Sequence, residues 1–241
     1  MSFTILDVTQ RSPEWHAARL GRLTGSRAAD MLSTLRNGGE AAGRRNLRIQ
    51  LVLERITGRS QENGYQSPAM AQGIEREVDA AAVYESLTGQ LLSTTGFLVH
   101  DSLMAGCSLD GATANFAGII EIKCPQPPAH LDVLRSGRIP GGYMGQVVHN
   151  LWISNADWCD WLSYQPDFPP PMHVKLVRVH RRDIDIQAYE LAARLFLSEV
   201  DREEEAVLKM AEAVPACDGP AVSSEGAGCV LVPSASPIGN C

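Results

Sequence analysis

Along the first ninety residues the apolar positions recur at helical spacing, and after Gly89 they gather into short runs, so the chain reads as helices followed by alternating strands and helices. Residues 12–32 predict two helical pieces: Ser12 can cap, Pro13 and Glu14 suit a first turn, and Gly21 interrupts before Thr24 and Ser26 restart the second. Over residues 44–57, Leu47, Ile49, Leu51, Val52, Leu53 and Ile56 supply the apolar positions of a third helix, ended by Gly58. Residues 59–68 read as a loop. A fourth helix over 69–87 stops at Gly89, with Ile74, Val78, Ala81, Ala82 and Leu87 available to pack.

Strands are predicted over 96–100 and 103–109, bounded by Asp101, Ser102, Asp110 and Gly111. A third covers 117–123, with Gly118 at its entry and Pro125 closing it, so that 110–118 is the connecting turn. Residues 142–153 return to helix. Two apolar runs of strand length, 158–164 and 174–179, are separated by a loop with Asp167, Phe168 and three consecutive prolines, and 187–213 form a long final helix charged in its second half. Past Pro215 the composition turns to Ala, Gly, Ser and Pro, which predicts a mobile tail over 215–241. The expected architecture is one α/β domain over 1–214: a mixed, twisted central sheet with helices on both faces, and a helical N-terminal part over about 1–68.

Composition narrows the class. In 241 residues, 44% hydrophobic and 20% charged side chains exclude a disordered or fibrous protein. No apolar run approaches the roughly eighteen residues of a membrane helix, and MSFTILDVTQRS lacks the pattern of a secretion signal, so a cytoplasmic protein is expected. The six cysteines form no C-x-x-C pair and read as reduced thiols. The six histidines include no H-x-x-x-H or H-E-x-x-H, against a zinc site, and the absence of G-x-x-x-x-G-K-[ST] excludes an ATP-driven helicase. Net charge is -7 but uneven, +5 over residues 1–60 and -12 over the rest. A basic first part facing a polyanion, with the acidic regions turned away, is the expectation. Arg36, Arg44, Arg45 and Arg48 fit a patch that tracks a nucleic-acid backbone, or simply a soluble helix and loop.

The densest chemistry lies in GCSLDGATANFAGIIEIKCP. Residues two apart on a strand share a face, so Glu121 and Lys123 project together while Ile120, Ile122 and Cys124 face the other way. Antiparallel return across the turn would bring Asp110 beside Glu121, giving two carboxylates with a lysine at the rim, a set of oxygen donors that suits Mg2+. Metal held there can polarise a phosphodiester and acidify its water, with Lys123 orienting that water. The plainer alternative is an exposed ion pair on a wet strand face. Against it, only three lysines accompany eighteen arginines, and this strand is apolar on both sides. Glu75, Glu77 and Asp79 on the fourth helix offer a third carboxylate. His149, one turn from Gln146, could approach the pocket or be packed, and Trp152, Trp158 and Trp161 read as core.

Asp110 followed by Glu121-x-Lys123 on the next strand resembles the core of PD-(D/E)XK nucleases, and the surroundings resemble the lambda-exonuclease and YqaJ-type viral recombinase branch. The resemblance is carried by W-H-x-x-R-L-G-x-x-T-x-S (Trp15 to Ser26), G-x-x-x-E-x-x-A (Gly73 to Ala80), CSLDG, EIKCP and YMGQV, in order across about residues 8–165. It implies a PD-(D/E)XK restriction-endonuclease-like fold and a 5'-to-3' exonuclease on double-stranded DNA ends using two Mg2+ ions, with Mn2+ as a substitute. By position it makes Glu77, Asp110 and Glu121 metal ligands, with Ile122 ligating through its carbonyl. Lys123 aligns the attacking water, Gln146 and Ser108 lie beside the scissile phosphate, and Arg19 and Ser26 form a terminal 5'-phosphate pocket. It further implies a ring-shaped homotrimer, a single-strand annealing partner and a phage or prophage role in a bacterial host. Read from the residues alone, Arg19 could instead pair with Glu14 or Asp30 on the helix surface, and Trp15 could be core or a base-stacking wedge. Alternative functions are a PD-(D/E)XK endonuclease or 3'-directed enzyme, and a non-catalytic DNA-end-binding scaffold.

Overall fold

The computed structural model describes residues 3–61 and 67–213; the expected tail over 215–241, with Cys217, Cys229 and Cys241, lies outside the described residues. Two four-stranded sheets, rather than the single sheet expected, organise the helices. The first has the order β1-β3-β4-β2, from β1 (Phe3–Leu6), β2 (Leu23–Thr24), β3 (Phe97–His100) and β4 (Ala105–Cys107). The second runs β5-β6-β7-β8, from β5 (Gly111–Ala112), β6 (Gly118–Lys123), β7 (Trp158–Tyr164) and β8 (Val174–His180). Strand β6 is central: it pairs antiparallel with β5, Gly111 opposite Ile120, and parallel with β7, Glu121 opposite Trp161.

Local signals explain most helix ends. Helix α1 (Pro13–Arg19) starts where the Ser12 hydroxyl accepts the Trp15 N–H at 3.2 Å and Pro13 occupies the first turn. After a short 3-10 turn, α2 (Ala28–Leu32) follows. Helix α3 (Ala42–Thr57) ends at Gly58 with φ 62°, and α4 (Pro68–Thr88) is followed by Gly89 at φ 69°. Helix α5 (Pro127–Ser136) falls in a stretch for which no element was expected; Pro127 and Pro128 occupy its first turn, where the missing N–H costs nothing. Helices α6 (Gly141–Ser154) and α7 (Ile186–Ala213) complete the chain.

Three expectations are corrected. The N-terminal part, expected to be helical, also contributes strands: β1 pairs antiparallel with β3, and β2, where a helix restart was expected, pairs parallel with β4. On α4, Val78 and Leu87 are exposed at 76% and 66%, and Ala82 is exposed too; Ala80 and Tyr84 are the buried residues. The acidic half of α7 does not turn away from the basic block but lies along α3, with Arg44 paired to Glu199 at 2.7 Å, Arg55 to Asp201 at 2.7 Å, and Arg48 to Glu203. Arg44 and Arg48 also share Glu40, so neither is free to track a backbone.

The main core is built around α6, with Val147, Leu151, Trp152 and Ile153 packed among Leu23, Leu98, Trp161 and Phe196. A second cluster, Ala80, Tyr84, Ile120, Ile122, Leu162 and Tyr164, lies between α4 and the other face of the second sheet. Because β6 alternates faces, Glu121 projects toward α6 and Ile120 and Ile122 toward α4. No helix among the described residues is long and apolar enough to cross a membrane. Cys107 and Cys159 are buried free thiols and Cys124 is half-buried.

Candidate active site

Glu121 is 1% exposed, and its two oxygens are engaged separately. Lys123 Nζ donates to Oε1 at 2.5 Å, and Asn150 Nδ2 donates to Oε2 at 2.8 Å from α6. Asp110, at the head of β5, accepts the Ile122 backbone N–H through Oδ2 at 2.6 Å, so the antiparallel pairing carries it next to Glu121. Burial, then the neighbouring Glu121 charge, pushes the Asp110 carboxyl up to about 8. Burial likewise raises Glu121, against the pull of Lys123. Burial alone would lower Lys123, but Glu121 and Asp110 outweigh it and hold the ammonium above its ordinary value. The Lys123 charge also sits 5.4 Å from the Tyr143 ring centroid.

Glu77 stands on α4 close enough for its charge to act on both Asp110 and Glu121. Its carboxylate accepts from Arg11 Nη2 at 2.8 Å. Its sequence neighbour Arg76 donates to Gln165 Oε1 at 2.6 Å, and the fully buried Gln165 amide donates to the Pro125 carbonyl at 2.9 Å. This clamp ties α4 to the segment following Lys123.

On the other side of the acid cluster, Trp15 Nε1 donates to Ser108 Oγ at 2.7 Å, and the Arg19 guanidinium lies 4.2 Å over the Trp15 ring. Trp15 is thus a platform joining Arg19 to Ser108. Asp30 pairs with Arg27 at 3.4 Å. Ser26 is exposed, 3.4 Å from the Thr24 hydroxyl. A Cβ at Gly25 would stand 2.5 Å from Asn150 Oδ1 and 3.3 Å from Gln146 Cγ. Only glycine lets this turn approach α6 so closely, which brings Ser26 and Gln146 into one neighbourhood.

His149 does not enter the cluster: it is buried between Tyr189 OH at 2.8 Å and the Gly106 carbonyl at 2.9 Å, and burial drops it to about 4. Trp152 and Trp161 are core. Asn150 went unpredicted although it lies one turn beyond Gln146 on the same helix face, which was its available signal. Arg11 had none.

The cluster suits a hard divalent cation in its donor chemistry: two buried carboxylates whose mutual repulsion a metal would relieve, and a third on α4, with the Ile122 backbone held against Asp110 through its N–H. As the side chains stand, no three His, Cys, Asp or Glu among the described residues close into a metal-binding group. Arg11 and Lys123 hold two of the three carboxylates.

A carboxyl raised on folding, such as Asp110, stabilises the native state below its unfolded pKa and loses that contribution as pH rises through about 8. In a chelator, Asp110→Asn, which still accepts from Ile122 N–H, should be more stable than wild type at pH 8 by ~1–3 kcal/mol, the gap shrinking toward pH 5. Urea unfolding at the two pH values checks this; a gap that widens toward acid contradicts it.

A scan against family models matches residues 14–157 to the YqaJ-like viral recombinase domain. The chain belongs to that family. A search of curated proteins finds no match. Among solved structures, this YqaJ-like chain is similar to the alkaline exonuclease LHK-Exo from Laribacter hongkongensis: 33% identity, covering 83% of this chain and 98% of that one, TM-score 0.75. The LHK-Exo complex with dAMP matches at the same identity and coverage with TM-score 0.76. A phage related exonuclease from Haemophilus somnus 129PT is 12% identical, covers 78% of this chain and 96% of that one at TM-score 0.60, and is alike in fold alone. The mixed α/β, PD-(D/E)XK-like architecture expected of the YqaJ-like chain is the one these relatives share.

Proposed function

We propose that the protein is a metal-dependent exonuclease that resects double-stranded DNA ends in the 5'-to-3' direction by phosphodiester hydrolysis. The observation that carries this reading is the buried Asp110, Glu121 and Lys123 cluster, an arrangement a DNA-binding scaffold has no use for, since its repulsion is a standing cost without a cation. Similarity to an exonuclease at 33% identity supports it.

In this reading Asp110, Glu121, the Ile122 carbonyl and Glu77 hold Mg2+, two ions with Mn2+ as substitute. Bound there, the metal supplies Lewis-acid polarisation of the phosphodiester and a more acidic water. Lys123 orients the attacking water with its ammonium, held in place by Glu121 Oε1. Asn150 fixes the Glu121 carboxylate from the other side, leaving the carboxylate little rotational freedom. Gln146 and Ser108 contact the scissile phosphate, and Arg19 with Ser26 engage the terminal 5'-phosphate. The Trp15 ring, anchored by its bond to Ser108, supports the Arg19 guanidinium stacked over it. The same reading gives the protein a role in phage-type recombination, which the YqaJ-like viral recombinase match supports, and adds a homotrimer, an annealing-protein partner and a cytoplasmic location.

Polarity is the part most open to direct test. A 5'-phosphorylated duplex should be digested faster than a 5'-hydroxyl duplex, and Arg19→Ala should erase much of the difference, since a charge-assisted contact is worth roughly tenfold to a hundredfold. Single-turnover rates on both substrates decide it. Equal wild-type rates, or an Arg19→Ala enzyme that still prefers the phosphate, reject the assignment.

A further inference from the structure

The turn that leads into α1 carries an arginine where its backbone favours glycine. Ser12 N–H donates to the Thr9 carbonyl at 3.1 Å, closing a four-residue turn, and Arg11 at the third position has φ 69°. A side chain there is crowded by its own backbone, so turns with a positive φ at that position select glycine. The turn is anchored on both sides. Gln10 Nε2 donates to the Leu109 carbonyl at 3.0 Å, one residue before Asp110, and the Ser12 hydroxyl caps α1. From this bridge to the acid cluster Arg11 reaches α4, where its Nη2 donates to Glu77 Oε2 at 2.8 Å. The pair differs from the other ion pair of the cluster. Lys123 and Glu121 are 24% and 1% exposed, whereas Arg11 and Glu77 are 45% and 32% exposed. Water screens the second pair, so giving it up costs little.

We propose that Arg11 is a substrate-binding residue that exchanges partners: it neutralises Glu77 in the metal-free protein and, when Glu77 turns to a divalent cation, takes a phosphate of the bound DNA. This rests on the proposed metal role of Glu77. The exchange follows from charge. A guanidinium beside a dication loses its acid and gains a repulsion, and the anion that arrives in the loaded complex is a nucleic-acid phosphate. The arginine fork engages two phosphate oxygens as it engages a carboxylate, so one side chain serves both states. Backbone strain at Arg11 is the cost of placing that side chain in the turn, and glycine would remove the strain and the cation together.

Arg11→Gly is the informative variant, because glycine suits the turn and the fold is kept. Calorimetry with Mn2+ and no DNA should show about two- to fivefold tighter binding than in wild type, the worth of a part-exposed ion pair that no longer has to be displaced. DNA binding should move the other way. By fluorescence anisotropy in Ca2+, with the duplex checked intact on a gel, Arg11→Gly should bind roughly tenfold more weakly, with a salt slope shallower by about one. In a chelator, where Arg11 stays on Glu77, the two proteins should differ by less than about twofold. A purely structural role would weaken both metal and DNA binding. Arg11→Lys keeps the charge without the fork and should restore part of the DNA affinity. Glu77→Gln releases Arg11 without metal and should bind DNA more tightly than wild type in the chelator, and adding Arg11→Gly should cancel much of that gain.

Unchanged or weaker Mn2+ binding in Arg11→Gly overturns the exchange. So does a loss of DNA affinity of equal size in the chelator and in Ca2+, which would make Arg11 a fixed contact. Wild-type protein that takes up no Mn2+ would sink the metal role of Glu77 and the exchange with it, whereas normal uptake with either of the first two results sinks the exchange alone.

Discussion

Lys123→Ala should slow hydrolysis of duplex DNA at saturating Mg2+ by about a thousandfold while the protein stays folded, and Glu121→Gln should do at least as much. The size follows from what each residue holds. Among the described residues Lys123 is the one ammonium within reach of the two buried carboxyls, and it donates to Glu121 Oε1 at 2.5 Å. Removing it withdraws a preorganised charge from a water-poor site, where such groups are worth about a hundredfold to a thousandfold in rate. It also lets the Asp110 and Glu121 pair keep a proton more tightly, which opposes cation binding. Glu121→Gln keeps the shape and the Asn150 contact but gives up the charge a metal needs, so weaker binding of Mn2+ by calorimetry should accompany the lost rate. Single-turnover digestion with circular dichroism on the same preparations is the check. Near-normal rates in either folded variant would reject the active-site assignment.

How much of this arrangement could be read beforehand depended on how local its geometry is. The shared face of Glu121 and Lys123 follows from strand alternation within three residues, and the approach of Asp110 from one tight antiparallel return; both are short-range facts. Asn150 reaches Glu121 only because α6 docks on the sheet, and that docking depends on Gly25 and on Gly145, where a Cβ would stand 3.0 Å from the Ala29 backbone. Nothing in the spacing of the two residues reports it. Strand β2 is hidden for a similar reason. Its two residues sit in a stretch with helical caps on either side, and they become a strand by pairing with β4, some eighty residues away. Helix periodicity misassigned Val78 and Leu87 because the packed face of α4 is narrow and marked by Ala80 and Tyr84. The charge asymmetry was legible as composition but not as placement, since only the packing of α7 on α3 reveals that Arg44, Arg48 and Arg55 meet Glu199, Glu203 and Asp201.

The largest stability effect is expected far from the acid cluster, at Asp160. This carboxylate is fully buried in the middle of β7, accepts two bonds from Arg178 at 2.7 and 2.8 Å, and accepts the Tyr84 hydroxyl at 2.9 Å. Arg178 is in turn stacked 3.9 Å over Trp158. Asp160→Ala leaves a buried phenol and a guanidinium without their acceptor, a change that costs about 3–5 kcal/mol when both partners are enclosed. Arg178 is 41% exposed and can turn to water, so the expected loss is the lower figure, about 3 kcal/mol. Tyr84 cannot escape in this way, since it is 1% exposed on the α4 face that packs against Ile120 and Leu162. Seven residues before it, two turns along the same helix face, stands Glu77. Loosening Tyr84 should therefore also loosen the third carboxylate, and Asp160→Ala should bind Mn2+ more weakly under conditions where it is still folded. Replacing both partners, Asp160→Ala with Arg178→Met, should recover part of the stability, because the uncompensated cation is removed with its acid. Urea unfolding in a chelator measures all three proteins. A loss below about 1 kcal/mol for Asp160→Ala would mean that the cluster contributes no more than a surface ion pair, and that α4 is held by its apolar contacts alone.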